Sequence, residues 1–217
     1  MTGQPADPRA VRSRAALVAA MTALLDEVDL EQISITQVVR AAGVTRPTFY
    51  QHFTDLAQLA SDAAIARLDA EFSRHDDVRV ADRVPQSSSL EAWLSALEPI
   101  VHELLEHLAE HGDFYRRVFN GPSTRQLIDA GVGLLARRIL QHSPLGAAVA
   151  EPQAEETRDK IAIISGGIVW LICTWLATDL TGRDSIAAMT KRISLQLVTL
   201  SLAGRAATVR EPTSPTP

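Results

Sequence analysis

The chain has 217 residues, of which 46% are apolar and 22% charged, and its formal net charge at pH 7 is −5. This composition is typical of a folded globular protein and excludes an intrinsically disordered one. The single cysteine, Cys173, excludes an intramolecular disulfide and favours a reducing compartment. Residues 1–8 are polar and contain proline, which predicts a disordered N-terminus and no signal peptide. A cytoplasmic protein is expected.

The N-terminal region is basic although the whole chain is acidic. The charged residues between 1 and 21 are three arginines and one aspartate, which leave a local net charge of +2: Asp7, Arg9, Arg12 and Arg14. A patch this thin predicts few contacts to nucleic-acid phosphates per subunit, so two subunits would be needed for useful affinity.

A short helix is predicted to begin at Ile35. Ser34 is followed three residues later by Gln37, which is the spacing of a capping box. Gly43 then stands where the C-terminus of a helix favours a residue that can adopt positive φ. The chain is therefore predicted to turn at Gly43.

A second short helix is predicted directly after this turn. Thr45 can cap it, and Pro47 is tolerated in its first turn because no intrahelical amide is lost there. Phe49 and Phe53 lie four residues apart on one face and are predicted core members. The other faces carry hydrogen-bonding side chains that could enter the major groove of DNA: Arg46, Thr48, Gln51 and His52. An ordinary helical hairpin, with Tyr50 and Phe53 simply in its core, is the alternative interpretation.

The segment AAGVTRPTFYQHF resembles the N-terminal region of TetR-type transcriptional regulators. The resemblance is specific over about 9–68 and only architectural beyond. It implies an all-α protein with an N-terminal three-helix helix-turn-helix DNA-binding domain at 9–56. A larger C-terminal helical domain at 57–204 would serve ligand binding and dimerisation, and the tail 205–217 is predicted to be disordered. The resemblance implies neither an enzyme nor a cofactor.

The resemblance also implies which residues meet DNA. Equivalents of Tyr50 and His52 usually contact phosphates, and those of Arg46, Pro47 and Gln51 face bases. The whole predicted set is Ser34, Thr36, Gln37, Thr45, Arg46, Pro47, Thr48, Tyr50, Gln51 and His52. One departure is Leu56, which stands where the family commonly has a lysine; the missing phosphate contact would then be lost or supplied by Thr54 and nearby backbone amides.

Helices are predicted over most of the remaining chain. Thr54 is expected to cap the first of them, and Gly112 to end a long helix that starts at Ser89. The predicted helices run over about 54–74, 89–111, 113–120, 123–141, 156–179 and 184–204, with loops through 75–89 and 142–155. The uncharged run 161–177 is shorter than the ~20 residues that span a bilayer and is predicted to be a buried helix.

The last two helices are apolar on more than one face, which predicts a dimer interface. Gly166 and Gly167 would let one helix pair pack closely against its two-fold copy. The predicted interface residues are Ile164, Gly167, Ile168, Leu171, Trp175, Ile193, Leu197 and Leu200. The alternative is that these helices form only the core of a monomer.

A small hydrophobic or aromatic effector is expected, because the resemblance implies an apolar cavity in the C-terminal domain. Its predicted lining is Trp93, Leu97, Ile100, Leu104, Phe114, Phe119 and Trp170. A different sensor is conceivable on the helix HELLEHLAEHGD, where Glu103, His107 and His111 recur every four residues, as metal ligands could.

These observations predict a ligand-responsive regulator, a repressor that binds a palindromic double-stranded DNA operator as a homodimer and is released by its effector. Two alternatives remain: a helical metal-binding protein or metalloenzyme that uses the Glu103, His107 and His111 stripe, and a DNA-binding regulator without a ligand pocket.

Overall fold

The computed structural model describes residues 7–74, 84–85, 88–121, 124–142, 154–178 and 183–208. These residues form α helices and one short 3-10 helix, Leu30–Gln32, and no strand occurs among them. The predicted all-α class is confirmed. The helices are α1 (Pro8–Glu27), α2 (Ile35–Ala41), α3 (Arg46–His52), α4 (Leu56–Ser73), α5 (Leu90–Glu110), α6 (Gly112–Phe119), α7 (Thr124–His142), α8 (Ala154–Ala177) and α9 (Arg183–Thr208).

The described residues divide into two compact units. The first comprises those within Met1–Ala70 and His111–Gly131, and the second those within Glu71–Glu110 and Val132–Pro217. In the first unit α1 packs against α2, α3 and α6. Its buried side chains Leu17, Met21 and Leu25 recur every four residues and form one apolar face.

The start and stop signals that the sequence carries between Ser34 and Thr45 are confirmed. The Ser34 side chain accepts from the Gln37 amide, and the Gln37 side chain accepts from the Ser34 amide, so both halves of the capping box are present. Gly43 has φ +65°. The Thr45 side chain accepts from the Thr48 amide.

Replacing Gly43 with alanine is expected to lower the free energy of unfolding by about 1–2 kcal/mol. A Cβ at Gly43 would meet no heavy atom within 4 Å, so the cost would come from the left-handed backbone alone. Urea denaturation followed by circular dichroism measures it. The matched control is Gly133→Ala within α7, where alanine should raise stability by about 0.5–1 kcal/mol. A Gly43→Ala variant at least as stable as the wild type would contradict the strain argument.

The cap of α4 differs from the prediction. Asp55 is the capping residue, because its carboxylate accepts from the Gln58 amide at 2.8 Å. The Thr54 hydroxyl instead donates to the Gln58 side-chain oxygen. A carboxylate one residue further along competes better for the orphan amide than a hydroxyl does, so the helix begins at Leu56.

Helix α6 fastens the C-terminal end of α1 in the first unit. The Arg117 guanidinium donates to the backbone carbonyls of Leu25 at 2.7 Å and Asp26 at 2.8 Å, and also contacts the Asp29 carboxylate. A cation on these carbonyls satisfies acceptors that the helix end leaves without partners and complements the helix dipole. α6 therefore stabilises the helix on which α2 and α3 pack.

In the second unit α5 packs along α9. The buried face of α5 consists of Trp93, Leu97, Val101, Leu105 and Leu108, which recur at helical spacing. His102 on α5 shares a hydrogen bond with Thr190 on α9, with Nδ1 and Oγ1 3.2 Å apart. Pro99 lies inside α5, which continues on both sides of it.

Several helix ends differ from their predicted positions, among them both ends of α8, which runs over Ala154–Ala177. α5 ends at Glu110, and Gly112 is the first residue of α6 instead of the residue that stops the preceding helix. Gly112 is buried together with the aromatic side chains of α6, so it is part of the first turn of that helix. α9 continues past Gly204 to Thr208. Most of the predicted loops, and the tail from 209 onward, lie outside the described residues.

Candidate nucleic-acid interface and ligand cavity

Helix α3 buries one face and presents the others to solvent. Phe49 and Phe53 are 0% and 2% exposed, as predicted for core residues. Arg46, Pro47 and Gln51 are exposed, and the Tyr50 side chain is 51% exposed. The seven residues of α3 form a narrow helix, so its polar faces could enter a major groove.

Arg46 and Tyr50 form a pair on this surface. The Arg46 guanidinium carbon lies 5.9 Å from the Tyr50 ring centroid, and Nη2 donates to the Tyr50 hydroxyl at 3.4 Å. The Tyr50 ring meets Phe49 edge to face, with centroids 5.3 Å apart. A ring held by Phe49 restricts the rotamers of Arg46 and lowers the entropy cost of placing the guanidinium on a partner.

His52 is tied to α1 through Ser13, a residue that no pattern in the sequence singles out. His52 Nε2 and Ser13 Oγ are 2.8 Å apart, and the Ser13 hydroxyl donates to the Ala10 carbonyl. Because the single hydroxyl proton is used there, we infer that His52 Nε2 is the donor to Ser13. His52 is half-buried, so it both anchors α3 to α1 and borders the exposed surface.

The start of α2 places further polar side chains on the outside of the first unit. Ser34, Thr36 and Gln37 are all exposed. The Gln37 side-chain oxygen accepts from the Ser34 amide and hydroxyl, at 2.8 Å and 2.7 Å. Because the Gln37 side-chain oxygen is used by these two hydrogen bonds, its side-chain NH₂ group, which is a donor, points away from the cap.

The start of α4 is a poor phosphate site. Its N-cap is the Asp55 carboxylate, whose negative charge would repel a phosphate from the same amides. The Thr54 hydroxyl is already engaged by Gln58. The structure therefore gives no support to the expectation that Thr54 and these amides replace the lysine absent at Leu56.

The basic patch on α1 carries less net positive charge than its number of arginines suggests. Arg14 forms an ion pair with Asp62 on α4, with Nη2 and Oδ2 2.5 Å apart. Arg9 and Arg12 are exposed. Arg14 is thus partly neutralised, and a moderate salt dependence of any nucleic-acid binding is expected.

A cavity of about 60 Å³ lies within the second unit. Its walls are apolar apart from one charged residue, Arg138 on α7, which is 8% exposed. The other residues that line it are Phe72, Leu97, Ile100, Val101, Leu104, Leu105, Leu135, Ile139, Ile168, Ile172, Ile193 and Leu197. Helices α4, α5, α7, α8 and α9 all contribute, so any widening of the cavity must move helices.

The predicted pocket residues are only partly brought together. Leu97, Ile100 and Leu104 line this cavity, whereas Trp93 is fully buried on α5 without lining it. Trp170 is 62% exposed, because Ile168 and Ile172 on α8 face inward in its place. Phe114 and Phe119 belong to the first unit, where Phe114 packs under the Arg67 guanidinium.

A larger cleft in the first unit, of about 550 Å³, is open and polar. Its charged groups pair with one another: Arg116 with Asp113 at 2.6 Å, and Arg117 with Asp29 at 3.1 Å. The Arg116 guanidinium holds the pKa of the Asp113 carboxyl below its usual value. Charged groups that pair with each other in this way form a solvated ionic surface and contribute little to the binding of a ligand.

The histidine stripe does not form a metal centre. Glu103 is exposed, His107 Nδ1 contacts the buried Glu71 carboxylate at 3.3 Å, and His111 lies beyond the end of α5. No group of three or more potential ligands is arranged to hold a metal ion within the part of the chain that the structure describes. The helical periodicity that suggested the stripe ends at Glu110, so the third residue leaves the face.

The predicted interface residues divide into two groups. Five of them are buried within the single chain, at 4–6% exposure, and have little area to give a partner: Ile164, Ile168, Trp175, Ile193 and Leu197. Trp175 is further committed by its indole, which donates to Ser185 on α9 at 2.9 Å. Gly167 and Leu200 are exposed and Leu171 is half-buried.

The face that α8 leaves exposed lies one residue away from the predicted one. Ile163 is 72% exposed and Trp170 is 62% exposed. Gly167 lies between them and Thr174 follows Trp170, so the four residues recur at heptad-like spacing. α9 exposes Leu195 and Leu200 to 44% and 45%. We call Ile163, Gly167, Trp170, Thr174, Leu195 and Leu200 the open face.

By length and composition, one described helix, Arg158–Ala177, could cross a membrane, with a mean hydropathy of 1.8. This is weak evidence, since a core helix passes the same test. Only 33% of the most apolar window of this helix is buried inside the chain, so the helix is less buried than the sequence predicted.

Cys173 on this helix is partly buried, and desolvation raises the pKa of its thiol to about 11, so the reactive thiolate is disfavoured.

Comparison with known proteins identifies the fold and the family of the N-terminal region. Residues 17–63 match the family model of bacterial regulatory proteins, tetR family. No curated protein sequence matches the chain. A tetR-family transcriptional regulator from Streptomyces coelicolor is 21% identical, with a TM-score of 0.52 over 89% of this chain and 84% of that one. Another, from Mesorhizobium loti, is 18% identical, with a TM-score of 0.53 over 91% and 98%. At these identities the structures establish the fold alone.

Proposed function

We propose that this chain is a TetR-type transcriptional regulator that binds a palindromic operator as a homodimer and is released by a small apolar effector; its residues 17–63 match the model of that family. The observation that carries the proposal is α3: a capped, seven-residue helix that buries Phe49 and turns its polar side chains outward. Such a helix, fixed by its buried face, can present those side chains to base edges.

We assign base contacts to Arg46, Pro47 and Gln51. Arg46 would pair bidentately with guanine and Gln51 with adenine. Tyr50 and His52 would contact phosphates, where they fix the register without reading sequence. Support comes from the exposure of Arg46 and Gln51 and from the anchoring of Tyr50 and His52 by Phe49 and Ser13. Supplementary contacts would come from Ser34, Thr36, Gln37, Thr45 and Thr48.

We assign dimerisation to the open face. A soluble chain rarely exposes a Trp, an Ile and two Leu side chains on one helix pair unless a partner covers them. A Cβ at Gly167 would meet no heavy atom within 4 Å, so a partner backbone could approach closely there. Reading two half-sites on one face of DNA would require an isologous pair whose two copies of α3 lie about 34–36 Å apart, one helical turn of DNA. A partner subunit on the open face would also account for the apolar surface of α8 in a cytoplasmic protein.

We assign effector binding to the apolar cavity of the second unit. Five helices wall it, so a ligand larger than its 60 Å³ must displace at least one of them. The effector would favour a dimer whose recognition helices no longer match the half-site spacing, which is repression relieved by ligand. A regulator without a ligand pocket would instead bind DNA with an affinity that no small molecule changes.

Footprinting of the purified protein on DNA upstream of its own gene tests the function. Two protected half-sites related by two-fold symmetry are expected, with centres about one helical turn apart. A second assay would select bound sequences from random duplex DNA, in case the operator lies elsewhere. Failure of both assays to give a specific site would exclude the proposed function.

A further inference from the structure

We propose that Ser13 on α1 is a positioning residue for DNA binding, because it fixes the proton of His52 so that this imidazole binds a phosphate only in its charged form. The inference rests on the DNA-binding function proposed above and adds a proton that the protein takes up together with the DNA. Its starting observation is the Ser13 hydroxyl, which joins His52 on α3 to the Ala10 carbonyl on α1.

The single proton of the Ser13 hydroxyl decides which nitrogen of His52 carries a hydrogen. The hydroxyl donates to the Ala10 carbonyl at 3.1 Å. His52 Nε2 lies 2.8 Å from the same oxygen, which has only lone pairs left to offer, so Nε2 is the donor of this second hydrogen bond. A neutral imidazole has one N–H group, so the neutral form of His52 has no hydrogen on Nδ1.

Without a hydrogen, Nδ1 cannot bind a phosphate. Phosphate oxygens and an unprotonated ring nitrogen are both hydrogen-bond acceptors, so their lone pairs repel each other at contact distance. Uptake of a proton at Nδ1 turns this atom into a donor and gives the ring a positive charge. The resulting hydrogen bond to an anion is roughly twice as strong as a neutral one. Because imidazole gains and loses its proton near neutral pH, DNA binding and protonation of His52 are linked in that range.

The position of His52 leaves Nδ1 available for this contact. Among the described residues, the hydrogen bond to Ser13 is the one that the His52 ring makes. The two ring nitrogens point in nearly opposite directions, so Nδ1 is directed away from Ser13 when Nε2 is directed toward it. The side chain is half-buried, and it follows Tyr50 and Gln51, which are exposed on the same helix.

The charged side chains around His52 do not offer another source of proton uptake. The charged residues on the neighbouring stretches of α1, α2 and α4 are Arg9, Arg12, Arg14, Arg40, Asp55 and Asp62. Within the described part of the chain, none of them forms a hydrogen bond or an ion pair with His52. Arginine keeps its charge at every pH used below. Asp62 pairs with Arg14, and Asp55 caps α4. We therefore assign the linked proton to His52.

The first measurement uses the full chain without DNA. Long-range proton–nitrogen NMR of the histidine-labelled protein at about pH 8 distinguishes a ring nitrogen that carries a hydrogen from one that does not. The chain has six histidines, and the signals of His52 are those that disappear in His52→Asn. A hydrogen on Nε2 and none on Nδ1 is expected in the wild type and in Ser13→Thr, which keeps the hydroxyl. The opposite arrangement in the wild type would overturn the inference before any DNA is added.

The second measurement compares operator affinity at about pH 6 and about pH 8 at constant ionic strength. Wild-type affinity should fall by about 10-fold per half-site, or about 100-fold for the symmetric dimer, because the charge-assisted hydrogen bond is lost. Ser13→Ala lets the neutral ring place its hydrogen on Nδ1, where it still donates to phosphate, so its affinity should fall only about threefold per half-site. Ser13→Thr should restore the wild-type profile. If Ser13 only helped α3 to pack on α1, Ser13→Ala would weaken binding equally at both pH values, and the inference would be wrong.

Two further variants serve as controls. Thr22→Val removes a hydroxyl that also donates to a backbone carbonyl of α1, that of Val18, without contact to α3. It should keep the wild-type pH profile. His52→Asn places an amide NH₂ group near the position of Nδ1, which donates at every pH, so its affinity should be the same at both pH values.

The outcomes separate this inference from the proposed function. An operator that the wild type binds equally well at both pH values would overturn the inference and leave the regulator standing. If no operator is found, the same comparison is made with random-sequence duplex DNA, which offers the same phosphates. A fall in affinity there that Ser13→Ala reduces would support the inference while the proposed function fails. A protein that binds no DNA at all would refute both.

Discussion

Trp170→Asp is expected to convert the protein from a dimer into a monomer at micromolar concentration. Trp170 is 62% exposed on the open face, so the substitution leaves the core of the chain intact while placing a charge in the centre of the proposed interface. Loss of a central tryptophan commonly costs about 2 kcal/mol or more, and a two-fold interface contains it twice. The dimer dissociation constant should therefore rise by on the order of 1,000-fold. Analytical ultracentrifugation measures the change.

Operator affinity should fall with dimerisation, because a single α3 and the thin basic patch on α1 give one subunit few contacts. The control for surface charge is a matched pair of leucines. Leu195, on the open face, and Leu90, at the start of α5, are 44% and 39% exposed. Leu195→Asp should weaken the dimer and Leu90→Asp should not. A wild-type monomer, or a Trp170→Asp variant that remains dimeric, would refute the open face as the interface.

Arg46→Ala is expected to weaken operator binding by about 1–3 kcal/mol per half-site, or twice that for the symmetric dimer. Preference should be lost at one base pair in each half-site, because a bidentate contact to guanine has no substitute in alanine. Arg46 is exposed and held near Tyr50, so its removal should leave the stability of the first unit nearly unchanged. Competition binding with single-base variants of the operator measures both effects.

Two further variants separate base reading from simple charge. Arg40→Ala removes the same charge from an exposed position in the last turn of α2 and should weaken all sequences slightly and alike. Tyr50→Phe keeps the ring beside Arg46 and removes only the hydroxyl, so it should also weaken all sequences alike. An Arg46→Ala variant with an unchanged preference at every base pair would remove Arg46 from the reading surface.

The DNA-binding region could be predicted from the sequence because its structure depends on neighbouring residues. Ser34 and Gln37 satisfy each other's backbone amides across three positions, and Gly43 supplies a φ that other residues adopt only with strain. Interactions of this range are encoded within one or two helical turns. The cap of α4 was the exception: Thr54 and Asp55 can both accept from the orphan amides, and the Asp55 carboxylate accepts from the Gln58 amide whereas the Thr54 hydroxyl donates to the Gln58 side chain.

The C-terminal helices show which features could not be predicted from the sequence alone. Their existence and approximate limits followed from apolar periodicity and turn residues, together with the all-α class. Which face of α8 lies inward did not follow, because the helix is apolar all round and a rotation of one residue exchanges Ile164 and Ile168 for Ile163 and Gly167. The packing of α8 against α9, including the Trp175 contact to Ser185, decided it.

Long-range packing likewise decided what borders the cavity of the second unit. Arg138 is one of many arginines in the sequence, and nothing near it in the chain marks it as buried. Only the approach of α4 places Phe72 and Ser73 beside its guanidinium and the cavity walls around it. The sequence by itself thus determined the helical class, the helix-turn-helix and the residues that α3 can offer to DNA, because caps, turns and periodicity act locally. The tertiary structure decided the open face and the charged cavity wall, because both depend on which surfaces of distant helices meet and exclude water.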